Sequence, residues 1–301
     1  MLNEFEINIL RFFRNVSNNF IDFLMEIFSF LGEQFVVVII LALIYFIYDK
    51  KVGRKIAFVI FTSINLNGII KGTVQRIRPF VYDLNLNPAR LETATGYSFP
   101  SGHTQNSSTV FYTVSNHFKK NYLWLITIII TILIGFSRIF LGVHYVTDVI
   151  VGMALGILCA FLFSYLYEKF ATNFKNELIL YISTFIISIP FIFIFFKKDY
   201  KEIEVFKDFY KSFALYFGYI CAFIIDEKFI NFDNNVSFKT KAVRLFGAGI
   251  CYVLINYGLK LILPVDNIFF VALRYFCITF ITLGIYPLLF KKILFKKAKI
   301  E

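Results

Sequence analysis

The sequence predicts an all-α fold, a polytopic bundle of transmembrane helices, and three observations lead there. Hydrophobic residues make up 58% of the chain and its mean hydropathy is +0.70. Charged residues make up only 17%, against roughly 25% in a soluble domain. Several apolar runs also approach the ~20 residues needed to cross a bilayer, with short charged breaks between them.

Taken in order, the first stretch is "FEINILRFFRNVSNNFIDFLMEIFSFLG". It repeats apolar residues at three and four, with Arg11, Arg14, Asp22 and Glu26 interspersed. Residues 1–34 therefore read as an amphipathic helix in the membrane interface, part of which can dip into the bilayer. Early acids (Glu4, Glu6) argue against a cleavable leader. Apolar spans are then expected near 35–48, 56–72, 103–117, 122–140, 145–167, 178–196, 209–225, 242–263 and 267–290. The total is left at eight or nine. Cys159, Cys221, Cys251 and Cys277 fall singly within apolar stretches and read as buried thiols, not as disulfides or metal ligands.

The net charge of +11 lies largely in alternate breaks: 48–55, 117–121, 168–175, 226–241 and the tail from residue 291. With no basic polar domain, nucleic acid is excluded as a partner. The pattern instead places those breaks in the cytoplasm and suits an anionic membrane surface. The break at 197–208 is basic but also acidic, and falls on the other side. A soft boundary near residue 170 gives three regions: 1–34, a core at 35–170 holding the unusual polar residues, and a C-terminal extension at 171–301.

This topology gathers three stretches on the extracytoplasmic side. In "KGTVQRIRP", Lys71 and Arg78 are seven residues apart, two turns of a helix that Pro79 would end, so both can share a face. Arg76 lies well round that helix and is the poorer candidate. In "GYSFPSGHTQNSS", Ser101 stands at an N-cap position, and Gly102 permits close approach of a ligand to the backbone. The first amides of the following helix form an anion site beside His103, whose side chain titrates near neutrality. In "SRIFLGVHYVTD", Arg138 ends a span, and His144 and Asp148 stand four apart, where a carboxylate can fix the imidazole tautomer. His117 falls in a cytoplasmic break and reads as a bystander. Three cations, a helix N-terminus and two histidines suit a phosphoryl group. One imidazole can attack and the other protonate the leaving oxygen. No carboxylate cluster is available for a magnesium pair, so neither metal nor cofactor is expected.

These stretches resemble the three signature motifs of the type-2 phosphatidic acid phosphatase superfamily: K-x6-RP, PSGH and SR-x5-H-x3-D. Every fixed position is present, in order, over 71–148. The resemblance implies a six-helix core over about 35–170 and an integral-membrane phosphatase that works without metal through a phosphohistidine. It implies His144 as nucleophile, Asp148 as its orienting partner and His103 as general acid and then base for water. It also implies that Lys71, Arg78, Arg138, Ser101 and Gly102 hold the phosphate. Lipid monophosphates or polyprenyl diphosphates are the implied substrates. The segment 80–99 has Tyr and Phe suited to the headgroup level and is expected to shape entry. Phe, Ile, Lys and Asn are abundant, as in an AT-rich genome, and a bacterial plasma membrane is the expected location. Three other readings stay open: a vanadate-dependent haloperoxidase-like oxidase, a lipid phosphotransferase of the same superfamily, and a lipid transporter or flippase. The last of these leaves the paired histidines unexplained.

Overall fold

The chain is all-helical in the computed structural model, which describes residues 2–197, 200–264 and 266–295. It divides into two compact units, residues 1–38 with 66–164, and residues 39–65 with 165–301. Both the basic tail beyond residue 295 and residues 198–199 of the 197–208 break lie outside the described residues.

The first helices are α1 (Leu2–Asn15), α2 (Asn19–Leu31) and α3 (Gln34–Leu43), so the region read as one interfacial helix is divided at Val16–Asn18. Asn18 divides it by capping α2, its side-chain oxygen accepting from the amides of Phe20 and Ile21 at 3.1 and 3.0 Å. Then come α4 (Lys50–Val74), the single turn α5 (Pro79–Tyr82), α6 (Gly102–Phe118), α7 (Asn121–Phe140) and α8 (Val146–Phe170). Asp49 begins α4 by accepting from the Val52 amide at 2.9 Å. Helix α6 closes on Lys119 in the left-handed region, with φ 54.

In the first unit, α7 packs against α1, α2 and α6. Phe13 of α1 meets Phe136 and Phe140 of α7 with ring centroids 5.4 and 5.5 Å apart. Helix α1 also anchors the long segment after α5. Arg11 pairs with Asp83 at 2.8 Å, and Arg14 donates to the Asn87 carbonyl at 2.6 Å.

The second unit continues with α9 (Phe174–Ile186), α10 (Ile189–Ile194), α11 (Tyr200–Ile225), α12 (Phe238–Val253), α13 (Leu259–Ile262), α14 (Ile268–Phe280) and α15 (Tyr286–Leu289). Helix α11 packs chiefly on α14, and Thr279 crosses the contact to donate to the Leu215 carbonyl at 2.9 Å. Its buried charges are matched. Asp226 accepts from Arg54 at 2.6 Å and pairs with Lys50 at 3.0 Å, while Glu177 accepts from Tyr167 at 2.7 Å.

Among the described residues, six helices are long and apolar enough to cross a membrane, or seven if α2 and residues 34–48 form one broken span. Among the described residues this is fewer than the eight or nine expected, and the run at 103–117 is one that falls outside the count. Helix α6 has 17 residues and is rich in Ser, Thr, Asn and Gln. Its polar side chains face inward, with Thr104, Gln105, Ser107, Ser108, Thr109, Thr113 and Ser115 all buried, so it does not need the apolarity of a lipid-facing helix.

Candidate active site

The three motif stretches meet in the first unit, although not all by the route the spacing suggests. Lys71 lies in the last turn of α4, but that helix stops at Val74, not at Pro79. Gln75 takes a left-handed conformation (φ 55), and Arg78 is extended (φ −69, ψ 152), as a residue before proline prefers. The expectation that Lys71 and Arg78 share a helical face is therefore corrected: Arg78 reaches the site from an extended segment. Carbonyls of the segment before α6 hold both cations. Lys71 Nζ donates to Tyr97 at 2.8 Å. Arg78 donates through Nε to Gly96 at 2.9 Å and through Nη2 to Thr95 at 2.5 Å.

Ser101 directly precedes α6, as expected of an N-cap, but its side chain caps no amide. Its Oγ lies 3.0 Å from Thr104 Oγ1, and its own N–H donates to the Asp148 carbonyl at 3.0 Å. That bond needs α8 close by, and Gly152 allows it: a β-carbon there would stand 2.8 Å from the Ser101 oxygen. Gly102 has the opposite surroundings. A β-carbon on it would find Asn67 Oδ1 at 3.5 Å and Lys71 Cε at 4.0 Å, so the missing side chain leaves space beside the lysine.

His144 sits in the turn between α7 and α8, which Gly142 (φ +73) makes possible. The helix begins two residues later, so His144 and Asp148 face each other across a helix start and not along a helical face. Asp148 reaches back to accept from the Tyr145 amide at 3.0 Å, half of a capping box. The same Oδ2 lies 3.4 Å from His144 Nδ1 and accepts from the Ser98 hydroxyl. The other ring nitrogen, Nε2, lies 3.2 Å from Arg78 Nη1. A guanidinium has only donors, so this contact is favourable when Nε2 presents its lone pair and the proton is on Nδ1. In that tautomer the lone pair of Nε2 faces Arg78.

Arg138 is fully buried. It donates through Nη1 to Ser29 Oγ at 2.6 Å and to Thr93 Oγ1 at 3.3 Å. Among the described residues its Nε and Nη2 have no hydrogen-bond partner, nor has Nε2 of His103. His103 lies within electrostatic reach of Arg138, His144, Arg78 and Lys71. Buried polar atoms without a partner are costly, and the two on Arg138 leave donors available to a ligand. His117, in the last turn of α6, takes no part in these contacts.

Three side chains at the site were missed or undervalued in the sequence. Arg76, placed round the helix from Lys71, turns instead to Asp148. It donates to Oδ1 at 2.7 Å and to Thr147 Oγ1 at 2.6 Å, and its guanidinium lies 3.8 Å over the Tyr145 ring. Its other nitrogen bonds Glu6 of α1 at 2.6 Å, and Glu6 also accepts from the Thr147 amide at 2.7 Å, satisfying an orphan donor of α8. Glu6 is 2% exposed, and a buried acid in an apolar stretch was its one sequence signal. Ser98 gave none beyond its place before the PSGH turn.

The stretch that carries this site matches a known family. Residues 53–171 match the PAP2 superfamily, and residues 210–298 match the description "PAP2 superfamily phosphatase, transmembrane extension". Phosphatidylglycerophosphatase B of Bacillus subtilis is 34% identical over 134 residues, covering 41% of this chain and 63% of that protein. Undecaprenyl-diphosphatase of Sulfolobus acidocaldarius is 33% identical over 142 residues, covering 46% of this chain and 67% of that protein. The chain belongs to the PAP2 superfamily. Its matched region spans less than two thirds of the Bacillus protein. A crystal structure of a transmembrane PAP2-type phosphatidylglycerolphosphate phosphatase from Bacillus subtilis aligns with TM-score 0.48 at 28% identity, covering 55% of this chain and 86% of that one.

Burial, and then the charges of Arg78, Lys71 and Arg138, hold the His144 pKa well below its usual value. Depression favours the neutral, nucleophilic form, so the acid limb of kcat/KM due to this group should fall below pH ~6.5. Lys71→Gln removes one of those charges and should move the limb to higher pH, as read from pH–rate profiles in detergent.

Proposed function

We propose that the protein is a membrane phosphatase that hydrolyses lipid phosphate monoesters or lipid and polyprenyl diphosphates through a phosphohistidine on His144, without a metal. The contact between Arg78 and His144 Nε2 at 3.2 Å carries this reading, because it puts an oriented nucleophile inside a ring of phosphate-binding cations. Family membership supports it, as do relatives named phosphatidylglycerophosphatase and undecaprenyl-diphosphatase. The exposed Val81, Tyr82, Leu84 and Leu91 beside the site offer apolar surface to a lipid chain.

In this mechanism Lys71, Arg78 and Arg138, with the Gly102 amide, bind the phosphoryl oxygens and their growing transition-state charge. His144 Nε2 gives its lone pair to phosphorus as the bond to the leaving oxygen breaks, and His103 gives that oxygen a proton. Asp148 stabilises the charged ring through Nδ1. His103 then takes a proton from water, the water oxygen attacks phosphorus, and the P–N bond breaks to free phosphate and neutral His144. The cations already supply the charge complement that a metal would bring. Phosphate release from lipid phosphates should therefore persist in EDTA, and vanadate should inhibit by resembling five-coordinate phosphorus. Loss of activity in EDTA with recovery on adding magnesium would overturn the metal-free route.

The two histidines separate by leaving group. His144→Ala should abolish turnover and leave no acid-labile phosphoenzyme on any substrate. His103→Ala should harm alkyl monoesters far more than activated aryl phosphates, whose leaving oxygens need no proton, by roughly 10²-fold or more. Asp148→Asn should fall between them. Equal losses for His103→Ala on all substrates, or a phosphoenzyme trapped in His144→Ala, would reverse the assignment.

The excess of Lys and Arg in the opposite breaks supports an active site on the extracytoplasmic side. A cysteine in place of the exposed Asn87 should react with a membrane-impermeant thiol reagent in intact cells. Labelling only after permeabilisation would reverse the orientation.

A further inference from the structure

The proposed mechanism leaves one cation beside the site without a task. Arg90 is a non-glycine residue in the left-handed region (φ 59), a conformation that persists where surrounding contacts impose it. Those contacts come from the C-terminal end of α2 and the residues just after it. Arg90 Nη2 donates to Glu33, and Nη1 lies 3.5 Å from the Glu26 carbonyl and 3.7 Å from its carboxylate. Among the described residues its buried Nε has no hydrogen-bond partner.

The same end of α2 borders the catalytic groups. Ser29 receives Arg138, and a β-carbon at Gly32 would stand 3.3 Å from both Cβ and the carbonyl oxygen of His103. Glu33 is the next residue, so the Arg90–Glu33 pair lies on the His103 side. Arg90 is also within electrostatic reach of Arg138. Where His103 protonates the leaving oxygen, this is the leaving-group side. A lipid alcohol departing there is neutral and needs no cation. A departing phosphate carries charge one bond beyond the bridging oxygen, and a guanidinium is the group suited to receive it.

We propose that Arg90 is a specificity-determining residue that binds the departing phosphate of a lipid diphosphate. Glu33 neutralises it in the free enzyme and competes with that phosphate for it. The inference rests on the phosphatase reading above, and the test separates the two.

The measurement is the ratio of kcat/KM for a polyprenyl diphosphate to that for the monophosphate of the same chain length, in one detergent. Arg90→Gln should lower the ratio roughly tenfold or more, chiefly through KM for the diphosphate. Arg90→Lys should restore part of it. Glu33→Gln frees Arg90 and removes a competing carboxylate, so it should raise the ratio. A purely structural pair would give equal losses on both substrates in Arg90→Gln, or an unchanged or lower ratio in Glu33→Gln, and either result overturns the proposal. If Arg90→Gln fails to fold, the direction of change in Glu33→Gln decides alone. A wild-type protein that releases phosphate from no lipid phosphate would instead overturn the phosphatase reading.

Discussion

A fully buried carboxylate in an apolar protein is stable only when its charge and lone pairs are matched, and in the first unit Asp148 meets that condition by drawing in every motif. Its Oδ1 takes Arg76, its Oδ2 takes Ser98, the Tyr145 amide and the His144 ring, and its carbonyl takes the Ser101 amide. The residue beside the His144 ring thus also ties the PSGH turn to the start of α8. Removing one partner of a buried ion pair costs about 3–5 kcal/mol because the other charge is left uncompensated. Arg76 therefore belongs to the architecture of the site although it does not face the phosphate. Through Glu6 the same network reaches α1, which lies before the residues of the family match.

The cations of the motifs pose the opposite problem, since like charges gathered in an apolar setting repel. Lys71 and Arg78 donate to backbone carbonyls. These are Thr95, Gly96 and Tyr97 from the segment before the PSGH turn, and Val143 from the turn that carries His144. Carbonyl dipoles orient a cation without cancelling its charge, so attraction for a phosphoryl group is kept. Among the described residues, two donors of Arg138 have no hydrogen-bond partner. The cost of assembling these groups falls on the rest of the first unit, whose helices α1, α2, α6 and α7 fix the surrounding backbone.

The second unit also buries charge. Arg54, Lys50, Asp226 and Glu177 balance one another, and tyrosine hydroxyls fill remaining positions on Glu177. Arg244 lies with its guanidinium carbon 4.9 and 5.0 Å from the ring centroids of Phe232 and Phe295 and donates to the Asp233 and Leu294 carbonyls, each at 2.7 Å. These cations are paired or stacked. In the first unit, Lys71 and Arg78 donate to carbonyls and Arg138 to hydroxyls.

The sequence by itself determined the membrane-embedded helical class, because hydropathy over twenty residues is a local property that no tertiary contact reverses. It also picked out the stretches that meet in the first unit, because their spacing within 71–148 is distinctive without knowing the path between them. The tertiary structure decided the path. Helix α4 ends at Val74 through a left-handed Gln75, so Arg76 and Arg78 diverge where a continuous helix would have set Arg78 above Lys71. It also decided that α6, polar by composition, is buried among helices, since inward polarity and aqueous exposure look alike in a string of residues. Glu6 and Arg90 could be found in no other way. Their partners stand 70 and 57 positions away in the chain, and a hydrogen bond across such a distance is set by packing and leaves no periodic trace.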